Sequence, residues 1–370
     1  MKPLRCTTAI PGRRANAPAP PFPLRGVTTM KRALLHLDTE PIDARTLRWA
    51  HEAGLTVIAT GRSQKGLEHA HIDRFQELEP QDQTGLLNFA SQLDSDSLKL
   101  VGAFSSQPGN SARVAELSHR LGLAVPSPEA LRRAANAVSL AAELKALGLP
   151  HKQASELSPR ARQVRAQAYF RDGDFVRGGL QELISSDSQG ETFGFLGHLE
   201  AALEDELYAL VENAARALAL DAGPITADLA LDAQAQQLVG LRPGFDDSLM
   251  GSYLAPLALG KSPIQAWFAA LAEAGGPFDA MPQRTLCCAG RMLVRAEMNG
   301  TFGELNGLER VRTRQGIEGA RALVRTGSPI LPGTAVAVIW AVGDDALQVR
   351  GRLQQASRYL EPSLQETSAA

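Results

Sequence analysis

The chain is short of several things, and each shortage excludes a class of protein. Of its 370 residues only 5% are aromatic and three are cysteine. Cys6, Cys287 and Cys288 cannot build a disulfide framework, and the adjacent pair lacks the spacing of zinc ligands. That cysteine usage points to a reducing, cytoplasmic compartment. Neither sign of charge dominates. The 38 Lys and Arg stand against 40 Asp and Glu, and a net charge of −2 gives no global attraction to nucleic acid or to an anionic membrane surface. No run approaches the roughly 18 uninterrupted apolar residues of a membrane span. The turn after the first predicted strand reads LDTEPID, so the G-x-G-x-x-G dinucleotide fingerprint is missing. What is present is a 44% hydrophobic chain, long enough for two domains or three small ones.

Residues 1–29 stand apart, with six prolines, five Lys or Arg and no acid. They read as a disordered or extraneous extension, with Met30 as the start of the folded chain. A transit peptide is the alternative, although clustered prolines spoil an amphipathic helix.

From Met30 onward the pattern alternates. Residues 32–38 (RALLHLD), 55–60 (LTVIAT), 77–79 and 99–106 (KLVGAFSS) read as strands. Residues 43–54, 84–93 and 111–121 read as helices. Strands alternating with helices predict a doubly wound parallel sheet. Residues 128–149 are strongly helical with a soft break at Asn136, and Gly148 and Pro150 end them. Asp172-Gly173 sits between apolar runs as a tight hairpin turn. A helical stripe follows from Leu203 to Leu218, with Gly223-Pro224 as its expected stop. Two strands, 225–231 and 237–241, come next. Alternation places Thr226, Asp228, Ala230 and Asp232 on one face of the first, and Leu238, Gly240 and Arg242 on one face of the second. Beyond Met281 the candidates are strands at 284–294, 303–311 and 335–341, with a helix at 344–360 ending the chain.

This order of elements, with the strings ALGLP, RDGDF and GPITADLALD…LVGLRPGFDDS, resembles the ATP-grasp superfamily. Its biotin-carboxylase-like and carboxylate–amine-ligase branches are the nearest in arrangement. The resemblance implies an α/β chain, α+β overall. Its parts are a parallel-sheet pre-ATP-grasp domain (30–127), a truncated ATP-grasp antiparallel sheet with helices (128–275) and a mixed C-terminal domain (276–370). In that family ATP and magnesium phosphorylate a carboxylate, and an amine or another nucleophile attacks the acyl phosphate.

The resemblance also implies where the machinery would sit. A carboxylate on the first strand of the pair, here Asp228, holds magnesium with a Glu and an Asn two residues apart on the second. Those two positions are Gly240 and Arg242 in this chain. Pro243 matches the Pro that follows, and the final Arg position is Gly244. Two of three metal ligands are thus absent. If the strands align as in the family, the Arg242 guanidinium occupies the magnesium position and pairs with Asp228. The lid that carries the nucleotide lysine and glycine-rich loop has no counterpart either. Residues 151–167 (HKQASELSPRARQVRAQ) contain no glycine, and Lys152 is their one lysine.

The candidate cofactor-binding residues are Asp228, Arg242 and Arg291, with Asp228 the metal candidate. Asp246, Asp247 and Ser248 are candidates for substrate binding, although Asp and Ser there first suggest a cap for the helix that follows, and both roles can hold. Arg291 alternates with Arg295 and Glu297, facing either a cleft or solvent. Arg310, Arg312 and Arg314 read as a one-sided basic stripe attractive to phosphate or carboxylate. His198 reads as a surface residue. The expected function is a degenerate ATP-grasp protein that binds a small carboxylate or amine, or serves an enzyme partner, with a homodimer implied by the resemblance. An active ligase with a minimal lid, borrowing phosphate contacts from the arginine-rich 160–165 segment or from a second subunit, is one alternative. A sugar- or nucleotide-binding α/β protein is the other.

Overall fold

The computed structural model describes residues 30–365 apart from 41–42, 66, 68–70, 80, 94–97, 108, 186–191, 198, 233–234, 246–248 and 274–284. Residues 1–29 and the candidates His198, Asp246, Asp247 and Ser248 lie outside the described residues. The first sheet is built from β1 (Lys31–His36), β2 (Thr56–Gly61), β3 (Arg74–Glu77) and β4 (Leu98–Phe104). All pairs are parallel, in the order β3-β2-β1-β4. Period-two alternation explains why β1 is apolar on both sides. Ala33 and Leu35 face α2 (Gln83–Leu93) and α3 (Ser111–Arg120), while Leu34 faces α1 (Ala44–Glu52) and α8 (Pro263–Leu271).

The helical run that follows divides fully at Asn136, into α4 (Pro128–Ala135) and α5 (Ala137–Ala146). Asn136 adopts an extended conformation, and its side chain accepts from the Val138 and Ser139 amides, so one residue ends the first helix and caps the second.

The second sheet has eight strands in the order β12-β14-β10-β7-β6-β5-β8-β9. β5 (Arg162–Arg171) and β6 (Asp174–Ser185) form the expected hairpin, with Asp172 and Gly173 both at positive φ, 51° and 88°. β7 (Thr192–Leu196) precedes α6 (Ala201–Ala217), and β8 (Gly223–Leu231) pairs with β9 (Gln236–Pro243). A π-helical turn (Met250–Leu254) runs into α7 (Ala255–Leu259) and then α8. β10 (Cys288–Arg295), β12 (Ile317–Ala322) and β14 (Ala335–Gly343) complete the sheet, so it draws strands from both sides of residue 275. β11 (Gly300–Asn306), β13 (Pro329–Ile330) and β15 (Glu361–Gln365) make a third, three-stranded sheet. Lys31–Ala370 forms one compact unit.

One face of the long sheet is apolar. α4, α5 and α6 cover β5, β8 and β9 there, while α9 (Leu308–Arg312) and α10 (Ala346–Ser357) cover the other end.

Four sequence expectations are corrected. α6 stops at Ala217, not at Gly223-Pro224. Burial of Leu220 turns Ala219 left-handed (φ 53°), with the Leu220 amide donating to the Ala215 carbonyl, and Gly223 instead opens β8. The strand expected over 303–311 ends at Asn306. Gly307 takes a left-handed turn against the Tyr359 carbonyl, where no Cβ fits, and α9 begins. The arginine stripe therefore runs from α9, which holds Arg310 and Arg312, into the turn after it, which holds Arg314. Arg310 and Arg314 stack on the Tyr359 ring at 4.8 and 4.3 Å, while Arg312 pairs with Glu309. The described residues also end in a strand and not in the expected helix, because α10 stops at Ser357 and β15 joins β11.

Candidate functional site

The face of the long sheet opposite α4–α6 carries polar side chains over its middle strands. Arg165 on β5 lies directly opposite Asp228 on β8 and Gln181 on β6, and Asp228 lies opposite Gly240 on β9. Directly opposed residues share a face, so these side chains form a row across the strands. A bulge separates Asp228 from Leu229 in the β8–β9 register. That extra residue sends Leu238 and Leu241 both into the apolar core and leaves Gly240 and Arg242 with Asp228. The expected common face of Leu238, Gly240 and Arg242 is corrected accordingly.

Asp228 is held on both oxygens. Arg165 Nε donates to Oδ1 at 2.8 Å and Arg242 Nη1 donates to Oδ2 at 2.5 Å. The three side chains are between 22% and 30% exposed, partly desolvated yet open to the surface. Burial pushes the Asp228 carboxyl upward, but the hydrogen bonds and charges of Arg242 and Arg165 outweigh it and hold the group below the usual carboxylate range.

Two buried residues lie on the same face: Gln181, which the sequence reading did not single out, and Arg291, which it named as a candidate. Gln181 is fully buried, and neither its amide nitrogen nor its amide oxygen has a hydrogen-bond partner. Its amide lies over Gly194, where a Cβ would collide with it. Arg291 on β10, 7% exposed, is paired in register with that same Gly194 and with Trp340 of β14. Glycine at 194 thus opens the space in which the Gln181 amide sits beside the Arg291 strand. A buried amide with no protein partner is a site for water or a polar ligand group. The signal available in the sequence was the alternation of RQVRAQAYFR, which places Arg165, Gln167 and Tyr169 on one face.

A second polar centre lies at the carboxyl ends of β1 and β4, where open parallel sheets bind ligands. His36 is fully buried, with Nδ1 2.7 Å from Thr39 Oγ1 and Nε2 3.5 Å from Ser106 Oγ. Burial drives its pKa down to about 3. Asp43 accepts from the Glu40 amide at 2.7 Å. Burial pushes its carboxyl up to about 7, outweighing the backbone hydrogen bond from Glu40, the Ser106 hydroxyl and the charge of Arg321. Thr46 and Ser252 hydroxyls, 3.1 Å apart, tie α1 to the π-helical turn. None of this centre was read from the sequence.

The remaining candidates are placed as follows. Arg295 Nη1 donates to the Gly333 carbonyl at 2.6 Å. Cys288 is buried, and Cys287 Sγ donates to the Leu257 carbonyl. Between α5 and β5, residues 147–161 form one 3-10 turn, Ala154–Glu156, and a bridge from His151 to Leu238. Lys152, the one lysine there, is bound to Asp232 at 2.7 Å. No lid sheet occupies this interval.

No protein-family model and no curated protein sequence matches the chain. Solved structures do. An L-amino acid ligase from Bacillus licheniformis superposes with a TM-score of 0.75 at 14% identity, over 91% of this chain and 99% of that one. Phosphoribosylglycinamide synthetase from Anaerococcus prevotii gives 0.69 at 12%, over 90% and 100%. The biotin carboxylase domain of Hydrogenobacter thermophilus 2-oxoglutarate carboxylase, solved with MgADP and bicarbonate, gives 0.67 at 11%, over 90% of each. The chain has the ATP-grasp fold. At these identities the likeness is one of fold.

Magnesium does not fit the residues present. Asp228 is the one carboxylate at the expected position, both its oxygens are engaged by guanidinium groups, and Gly240 offers no ligand. Among the described residues no group of three or more His, Cys, Asp or Glu is arranged to hold a metal ion. Two like charges 4 Å apart repel by about 4 kcal/mol at an effective dielectric of 20, and a divalent cation beside two arginines meets a larger barrier. Residues 147–161 supply neither a glycine-rich loop nor a lysine outside an ion pair.

Proposed function

We propose that this protein is a degenerate ATP-grasp protein that keeps the carboxylate–amine-ligase fold, has lost magnesium-dependent phosphoryl transfer, and binds a small carboxylate or amine, alone or in the service of an enzyme partner. The observation that carries this reading is the capture of Asp228 by Arg165 and Arg242 where the family holds its metal. The ligand-binding part draws support from the unpartnered Gln181 amide beside the Arg291 strand, a buried polar position on the same face.

Calorimetric titration with ATP, with and without magnesium, tests it. The expected result is no magnesium-dependent binding at millimolar ATP. Magnesium-dependent binding, together with carboxylate-stimulated ATP turnover that Asp228→Asn abolishes, would establish the active ligase instead. No helix among the described residues is long and apolar enough to cross a membrane.

A further inference from the structure

A cavity of about 430 Å³ lies where the edge strand β4 meets the turn end of the β5–β6 hairpin and α8. That volume falls within the roughly 300–1,000 Å³ typical of small-molecule sites. None of Arg165, Asp228, Gln181, Arg242 or Arg291 lines it. Its walls are largely apolar and aromatic, with Phe104, Val114, Val125, Phe170, Trp267 and Leu271 among them. Trp267 is fixed between two other rings, Phe104 at 6.0 Å and Phe245 at 6.1 Å. Glycine at 102 leaves room for the Leu271 side chain of α8, since a Cβ there would lie 2.6 Å from Leu271 Cδ1 and force it to shift.

Two cations line the cavity: Arg171 at the hairpin turn, 3.6 Å from Asp172, and Arg32, which is built into the apolar wall. Arg32 of β1 is anchored by its Nε, which donates to the Leu271 carbonyl at 2.7 Å, and its Nη1 meets Glu273 at 2.6 Å. The partners are unequally held. The Arg32 side chain is 25% exposed, while that of Glu273 is 71% exposed. A pair with one solvated, flexible member adds little, and an incoming anion exchanges with that member without unseating the arginine. The other acids at the rim, Asp172 and Asp221, are exposed and screened by solvent.

We propose that this cavity is a second ligand site, separate from the Asp228 centre, and that it takes a small planar aromatic acid. The ring system packs between Trp267 and Phe170, and the acid group replaces Glu273 on Arg32. The proposal is independent of whether ATP binds.

The test is a fluorescence titration of the full chain with 8-anilinonaphthalene-1-sulfonate, an aromatic anion of suitable size. Saturable binding to one site is expected. Arg32→Gln should weaken it about tenfold, the loss of one charge-assisted contact. Val114→Phe, which fills the cavity, should abolish it. Glu273→Gln, a change at an exposed side chain, should tighten it, and this variant keeps the test decisive if Arg32→Gln does not fold. Non-saturating fluorescence overturns the proposal. So does an affinity that Val114→Phe leaves unchanged, or one that Glu273→Gln leaves unchanged or weakens.

Discussion

At the scale of single residues, the Asp228 centre is a carboxylate held between two arginines, and on the proposed reading they stand where the family holds its metal. If Gly240 and Arg242 are the two replaced ligands, restoring them should restore cation binding. A Cβ on Gly240 would lie 3.3 Å from Arg242 Nη1 and 3.7 Å from Asp228 Oδ2, so a glutamate there reaches the same point once Arg242 is shortened. Gly240→Glu with Arg242→Asn should gain millimolar magnesium affinity by calorimetry, where the parent is expected to show none. Failure of that double variant would mean that Arg165 alone suffices to exclude the metal.

The His36–Asp43 centre makes a prediction about pH. Asp43 is protonated up to about 7 in the folded protein but ionises near 3.8 when unfolded, so its contribution falls as pH rises from about 4 to about 7. His36 stays neutral down to about 3 when folded but protonates near 6.5 when unfolded, so its contribution rises over nearly the same interval. Each displacement corresponds to on the order of 4 kcal/mol across its window, with opposite sign. The two slopes should largely cancel between about pH 4 and 6.5. Asp43→Asn should uncover a stability that climbs with pH in urea titrations, and His36→Gln one that declines. Parallel slopes in the two variants would contradict the assignment.

At the scale of elements, two short segments decide whether the sheet and its covering helices assemble. Asn136 caps α5 with two hydrogen bonds, so Asn136→Ala should cost about 1 kcal/mol in chemical denaturation. At the hairpin, Gly173 (φ 88°) has nothing within 4 Å of where a Cβ would stand, so its requirement is conformational and not steric. Gly173→Val should destabilise by about 1–2 kcal/mol. Arg171 and Asp174 then remain in register only if the turn holds. The same scale explains several misread boundaries. The stop of α6 and the start of α9 were set by the burial of Leu220 and by the Tyr359 carbonyl against Gly307, contacts that a local window of sequence does not contain.

At the scale of the whole molecule, the eight-stranded sheet draws β5–β9 from the middle of the chain and β10, β12 and β14 from its last third. β10 pairs with β7 on one side and β14 on the other. A fragment of residues 285–370 therefore leaves the β7-facing edge of β10 unpaired and the buried Phe193 and Phe195 missing from its core. It should be largely unfolded by circular dichroism, whereas a fragment with an ordered spectrum and a cooperative melt would show an independent domain.

The sequence alone determined what depends on local chemistry and period. Strict alternation placed Asp228 on the polar side of β8 and Ile225, Ala227 and Leu229 in the core, and the Asp172-Gly173 pair announced its own turn. The missing lid was equally legible, because a 17-residue interval without glycine holds no lid sheet. Tertiary structure decided what depends on partners far apart in the chain. Arg165 reaches Asp228 across 63 residues, the β9 bulge chooses which side chains join them, and Gln181 is left without a partner only once Gly194 and the strand of Arg291 are alongside. The Arg32 cavity exists because β4, β5 and α8 come together around Gly102. A strand's period fixes which way a side chain points, but only the packed neighbours fix what it meets there.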